Sequence, residues 1–79
     1  MKKPVIYMSP TCPYCVKVMN FAKEHKIDVE YKDRSDKKIR EELIKRTDKT
    51  QVPYLVDANN NIEMHESDDI ITHLQKHYK

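Results

Sequence analysis

Apolar positions fall in short runs separated by charge, and the spacing inside each run predicts an element. Val5, Ile6 and Tyr7, within the apolar stretch from Val5 to Met8, predict a buried strand. Ser9-Pro10-Thr11 predicts a turn. From Pro13 onward, Cys15, Val18, Met19 and Ala22 share one helical stripe, while Lys17, Asn20, Lys23 and Glu24 lie largely elsewhere. Ile27, Val29 and Tyr31 alternate with Asp28, Glu30 and Lys32, which predicts a half-buried strand. From about Asp36 to Thr47 the thin stripe of Ile39, Leu43 and Ile44 among Lys, Arg and Glu predicts a second helix. Pro53 stops any continuation of it, and Tyr54-Leu55-Val56 predicts a third strand. Residues 57–61 predict a turn, where Asn and Asp can adopt the left-handed conformation in a chain that contains no glycine. Ile62 to Met64 is the return strand. Ser67 is predicted to cap a last helix, with Asp68 and Asp69 in its positive first turn and Ile70, Ile71, Leu74 and Tyr78 facing inward.

The order is therefore β-α-β-α-β-β-α. A helical crossover makes strands one and two parallel, and a short turn makes strands three and four antiparallel. The expected architecture is α/β, a mixed four-stranded sheet with helices on both faces. Seventy-nine residues suit one domain with a small core, spanning 1–79. With Lys+Arg 15 against Asp+Glu 13 and signs interspersed, no polybasic run argues for nucleic acid or a membrane surface. The stretch from Val5 to Met8 is too short for a signal-peptide core or a membrane span. A cytoplasmic monomer is expected.

Cysteine usage changes the picture most. Cys12-Pro13-Tyr14-Cys15 opens the first helix, with Cys12 at the N-cap and Pro13 at the first helical position, where its missing N–H costs nothing. Cys15 should face the core and Cys12 the solvent. Unpaired N–H groups and the positive helix end favour an anion there. A Cys12 thiolate accepting from the N–H of Tyr14 or Cys15 would have a pKa below the ordinary value of about 8.5. Lower basicity also weakens the nucleophile, so the larger benefit is to Cys12 as a leaving group. Such a sulfur accepts and releases disulfides quickly. A bridge closing so small a loop would stabilise little, so the pair reads as chemistry in a reducing compartment.

Three motifs in this order, Thr11-Cys12-Pro13-Tyr14-Cys15 after the first strand, Gln51-Val52-Pro53 before the third and Ser67-Asp68-Asp69 opening the last helix, make the chain resemble a dithiol glutaredoxin of the thioredoxin fold over nearly its whole length. The resemblance implies a single glutaredoxin domain and a cis Pro53 against the cysteine pair, with the Val52 backbone free to pair with an extended substrate. Glutathione is the implied co-substrate, and no tightly bound cofactor or metal is expected. Its cysteine sulfur would lie beside Cys12, its backbone on Val52 next to Gln51, and its γ-glutamyl carboxylate at the last helix near Ser67 and Asp68. Tyr14 would form one wall, with Thr11 and Pro13 beside it, and Arg40 would meet the glycyl carboxylate. Two departures stand out. Position 9, basic in many glutaredoxins, is Ser9, and their Gly-Gly before the last helix is replaced by His65-Glu66. Glu66-Ser67 is instead similar to the glutathione site in the N-terminal domain of glutathione transferases.

The resemblance implies a glutathione-dependent thiol–disulfide oxidoreductase acting on protein disulfides and protein–glutathione mixed disulfides, Cys12 as nucleophile and Cys15 as resolving thiol. The alternatives are a thioredoxin-like electron donor recharged by a thioredoxin reductase, or an iron–sulfur or zinc-binding module. For zinc, Cys12-x-x-Cys15 and His73-x-x-x-His77 each have ligand spacing. Against a ligand role, His25, His65, His73 and His77 read as solvated surface residues. Pro53 alone would read as an edge-strand proline, and Arg40 alone as part of a solvated face.

Overall fold

The computed structural model describes residues 3–78, so Met1, Lys2 and Lys79 of the expected 1–79 domain lie outside the described residues. The chain runs β1 (Val5–Met8), α1 (Pro13–Glu24), β2 (Glu30–Asp33), α2 (Lys37–Thr47), β3 (Tyr54–Asp57), β4 (Ile62–Met64) and α3 (Ser67–Tyr78). The expected element order and mixed sheet are both observed. Strands lie in the order β2-β1-β3-β4, with β1 parallel to β2 and antiparallel to β3, and β3 antiparallel to β4.

Alternation along the strands splits the core between the two faces of the sheet. Ile6 pairs with Leu55 and Leu55 with Met64, and this face packs on Val18 and Ala22 of α1 and on Ile70 and Leu74 of α3. Tyr7 and Tyr54, paired across β1 and β3, point the other way and meet Leu43 of α2, Val52 and Cys15. Removing a fully buried side chain such as Leu43 would cost about 2–5 kcal/mol. Among the described residues no helix is long and apolar enough to cross a membrane.

Helix α2 departs from its expected stripe. Leu43 is buried and Ile39 half-buried, but Ile44 is 42% exposed. An i, i+4 pair aligns on one helix face, and the next position turns away from it. Polar contacts supplement this thin seam: Tyr7 Oη donates to Glu42 at 2.5 Å, Lys32 Nζ to the same oxygen at 3.0 Å, and Arg46 to Glu63 at 3.2 Å. Asp36 caps the helix, accepting from the N–H of Lys38 at 2.9 Å, and Asp48 ends it in the left-handed conformation.

The second strand also starts later than expected. Helix α1 closes with paired bonds, Ile27 N–H to the Ala22 carbonyl at 2.8 Å and Lys26 N–H to the Lys23 carbonyl at 3.2 Å, around Lys26 at φ 55°. This is a Schellman end, which seats its following apolar residue against the helix. Ile27 is accordingly buried with Val18 and Ala22, and Val29 packs on the same cluster before the strand begins. Tyr31, on edge strand β2, is exposed.

The turn expected at 57–61 begins as strand. Asp57 ends β3 with its side chain fully buried, accepting from Asn60 Nδ2 (2.8 Å), Tyr78 Oη (2.7 Å) and the N–H groups of Asn59 and Asn60, with His73 Nε2 at 2.7 Å. His73 is therefore buried, not solvated as expected. It continues the inward stripe of α3 one turn after Ile70. Burial opposes the Asp57 charge, but hydrogen bonds from Asn60, His73 and Tyr78 outweigh it and hold the carboxyl down to about 2. Asn61 takes the left-handed conformation that the Asn and Asp residues of the turn allow, at φ 54°.

Two stability predictions follow from these contacts. Lys26→Gly relieves a side chain in the left-handed region and should stabilise the protein by about 0.5–1 kcal/mol in urea unfolding; no gain would contradict the Schellman assignment of α1's end. The Asp57 carboxyl sits below its unfolded value of about 3.9, so its contribution is present above about pH 4 and is lost as pH falls toward 2. Asp57→Asn should therefore cost roughly 2 kcal/mol or more at pH 7, with the gap to wild type shrinking below pH 4. A gap independent of pH would refute the ionised carboxylate.

Candidate functional site

The loop from β1 into α1 holds itself in place. Cys12 N–H donates to the Ser9 carbonyl at 3.1 Å, the hydroxyls of Ser9 and Thr11 lie 3.1 Å apart, and Val16 N–H reaches the Cys12 carbonyl at 3.0 Å. Cys12 is in extended conformation (φ −86°, ψ 120°) at the N-cap, and Pro13 opens the helix, both as expected. Ser9 N–H donates to Cys15 Sγ at 3.4 Å. Cys15 is 0% exposed, packed with Tyr7, Leu43 and Val52, while Cys12 is partly accessible and leans on the same cluster. Both thiols are free.

This asymmetry sets the two acidities apart. Burial works against a Cys12 thiolate, but the Cys15 N–H and thiol, the Tyr14 N–H and the charge of Arg34 outweigh it and draw the pKa below the ordinary thiol value. The sulfur is not locked in a formed capping hydrogen bond, unlike the expected N-cap geometry. For Cys15, burial dominates; the Cys12 thiolate pushes the same way against the Ser9 N–H, and the pKa rises to about 11. One sulfur is thus poised to ionise and its neighbour to stay protonated.

Beside the cysteines lies a groove of about 340 Å³ between the start of α1, the segment before β3 and the head of α3. Tyr14, Gln51, Val52, Pro53, Glu66, Ser67 and Asp68, all singled out from the sequence, line it together with His65. The Val52–Pro53 bond is cis, as the resemblance implied. Tyr14 is 64% exposed and stands at the rim. Ser67 is not the helix cap: it is the first helical residue, and the Glu66 carbonyl accepts the first bond, from Ile70 N–H at 2.9 Å. First-turn N–H groups have no partner inside their own helix and can receive a carboxylate. Lys17 Nζ, 2.5 Å from Asp68, offsets one of the negative charges there.

Thr11, Pro13 and Arg40 do not line this groove. Thr11 is committed to Ser9, and Pro13 is exposed on the first turn of α1. Arg40 lines a separate cavity of about 330 Å³ with Ser9, Arg34, Ser35 and Thr50. Sequence reasoning missed Arg34 and His65. The His65 ring packs on Tyr54 with centroids 4.5 Å apart, and its Nε2 is buried without a hydrogen-bond partner. Its place directly before Glu66 was the available signal. Among the described residues no three His, Cys, Asp or Glu side chains gather as metal ligands, and His73 is engaged by Asp57.

A β-α-β unit joined to a β-β-α unit, with two thiols of opposed acidity at a helix tip beside a cis-proline segment, defines a thioredoxin-like domain. The glutaredoxin family model matches residues 5–63, and the chain belongs to the glutaredoxin family. No curated protein matches the sequence. Among solved structures, a glutathione S-transferase from the Antarctic clam Laternula elliptica is 31% identical over 98% of this chain and 36% of its own, with a TM-score of 0.79. The chain thus spans little more than a third of that protein. A thioredoxin-like protein is 28% identical over 94% of this chain and 96% of its own (TM-score 0.73). The glutaredoxin from Brucella melitensis shares the fold at 21% identity, over 100% and 84% of the two chains (TM-score 0.67). Family and fold together give the chain a thiol-redox or glutathione-related role.

Alkylation of the reduced protein by iodoacetamide across pH tests the asymmetry. Cys12 should react with a midpoint below the ordinary thiol value of about 8.5, and Cys15 should stay unlabelled until the protein unfolds. Equal labelling of both sulfurs would overturn it.

Proposed function

We propose that the protein is a glutathione-dependent thiol–disulfide oxidoreductase that reduces protein–glutathione mixed disulfides and protein disulfides. The observation that carries this reading is the pairing of an accessible, acidified Cys12 with a buried Cys15 whose pKa is pushed up to about 11. The Cys12 thiolate attacks the glutathione sulfur of a mixed disulfide; the protein thiolate leaves, and Cys12 carries glutathione as a new disulfide. A second glutathione thiolate attacks that sulfur, so oxidised glutathione departs and the Cys12 thiolate returns. Cys15 takes no part in this cycle.

With a protein disulfide, Cys12 instead becomes joined to the substrate. Its negative charge is then gone, and with it the two Cys12 contributions that hold the Cys15 proton in place. The Cys15 thiol loses its proton more easily at that moment, attacks Cys12 Sγ and releases the second substrate thiolate, leaving the Cys12–Cys15 disulfide for two glutathiones to reduce. Glutathione as co-substrate is supported by family membership and by the likeness to a glutathione S-transferase. In this reading its backbone pairs with Val52 and its γ-glutamyl carboxylate meets the head of α3 near Ser67. Arg40, outside the groove, would reach the glycyl carboxylate from the neighbouring cavity. A reducing compartment such as the cytoplasm, where glutathione is kept reduced, belongs to the same reading.

A thioredoxin-like electron donor is the second reading, favoured by the match to a thioredoxin-like protein over nearly the whole of both chains. Turnover of a glutathionylated substrate coupled to glutathione reductase, compared with turnover by thioredoxin reductase, separates the two. Under the leading reading Cys12→Ser falls to the uncatalysed background in both reactions, while Cys15→Ser spares deglutathionylation and loses disulfide reduction. Equal loss in both variants would remove the assignment of roles.

A further inference from the structure

The cavity beside Ser9, on the loop that leads into the cysteines, brings in a cation from a part of the chain that carries no redox motif. Arg34 follows β2, and its N–H donates to the carbonyl of Met8, the last residue of β1, at 2.9 Å. Its Nη1 donates to the Thr50 carbonyl at 2.8 Å, so the side chain is tied to the segment leading into Val52-Pro53. The same cavity is lined by Ser9, which is buried and whose N–H donates to Cys15 Sγ. Arg34 is thus held through its backbone N–H and its guanidinium, in a cavity that borders the loop presenting the two sulfurs.

We propose that Arg34 is the positioning cation of the redox site: tethered to Thr50, it supplies the positive charge that favours the Cys12 thiolate, a part that the uncharged Ser9 cannot play. The proposal rests on the reading of Cys12 as the attacking sulfur. Its charge favours the thiolate form of both cysteines, as a smaller effect than the N–H groups around Cys12 and than the burial of Cys15. The other charges around the site are placed differently. Asp33, next to Arg34, accepts from Ser35 N–H and Oγ at 2.9 and 2.8 Å; Lys17 is paired with Asp68; Glu66 lines the groove; Arg40 shares the cavity. An arginine keeps its charge at any working pH, so the field on Cys12 does not switch off as conditions change.

The test reads Cys12 itself, through the pH dependence of iodoacetamide alkylation of reduced protein. This uses neither glutathione nor a disulfide, so its outcome is separate from that of the oxidoreductase assays. Arg34→Gln should slow Cys12 alkylation at pH 6 by about threefold and move the midpoint upward, the size expected of one unit charge several Å away near a protein surface. Arg34→Lys keeps the charge and should stay near wild type. Lys45→Gln, the same charge change on the exposed surface of α2, should leave the profile in place. In wild-type protein, which needs no substitution to fold, 1 M salt should slow alkylation at pH 6 through screening. An unchanged midpoint in folded Arg34→Gln, an Arg34→Lys loss equal to that of Arg34→Gln, or a wild-type profile indifferent to salt would each overturn the proposal.

Discussion

Burial of Cys15 is the constraint on which the site depends. Two sulfurs three positions apart on a helix would ordinarily share one environment. Here the first turn of α1 follows the end of the central strand β1, so that Cys15 enters the apolar cluster of Tyr7, Leu43 and Val52 while Cys12 remains partly accessible. A buried thiolate is costly, and Cys15 is therefore held as the thiol. That thiol, together with the Cys15 N–H, in turn favours charge on the Cys12 sulfur. A more polar or looser pocket at Cys15 would lower its pKa and narrow the contrast between the two sulfurs.

That pocket exists because of how α2 is attached. Its apolar seam is little more than Leu43 and Ile39, too narrow to fix a helix by burial alone. Glu42 gathers Tyr7 and Lys32, and Glu63 gathers Arg46 and Tyr54, so charged groups tie α2 to β1, β2, β3 and β4 around the rim of the cluster. Exposed ion pairs contribute only about 0–1 kcal/mol each. Here both acceptors also receive a tyrosine hydroxyl from the pocket floor, with the pKa of Tyr7 and of Tyr54 pushed up to about 12, first by burial and then by the carboxylate partner. The same two tyrosines form the wall behind Cys15, so the polar rim and the dry pocket are built from shared side chains.

Most of the architecture was legible because the informative signals were local. Pro13 marks the start of α1, the apolar runs Val5-Ile6-Tyr7 and Tyr54-Leu55-Val56 mark the central strands, and the Asp and Asn residues of 57–61 mark the turn, where Asn61 is left-handed. The misplacements have physical reasons. Lys26 occupies a position where glycine would announce the helix end, so Ile27 and Val29 read as strand although they close a Schellman motif. Ile44 follows the buried Leu43 by one position and so turns off the seam. His73 falls on the inward stripe of α3 between Ile70 and Leu74, but its burial depends on Asp57, sixteen positions earlier, whose charge it helps to satisfy. The groove was legible in the same measure: the motif residues converge, but Arg34 and His65 reach the two cavities through contacts that no spacing rule connects to the cysteines.

The departures at Ser9 and at His65-Glu66 bear on the site in different ways. Replacing a basic side chain by Ser9 leaves a small residue whose N–H is turned inward to Cys15. Ser9 lines a cavity together with Arg34 and Arg40. Positive charge is thus present near the loop but comes from Arg34, just after β2, and from Arg40 of α2, and Arg34 is tethered to the Thr50 carbonyl. At the other end, His65 fills with an aromatic ring the place where a glycine pair would leave backbone bare, and the ring is pinned on Tyr54. The groove therefore has an aromatic ring, packed on Tyr54, in its lining beside Glu66 and Ser67, across from Tyr14 at the start of α1.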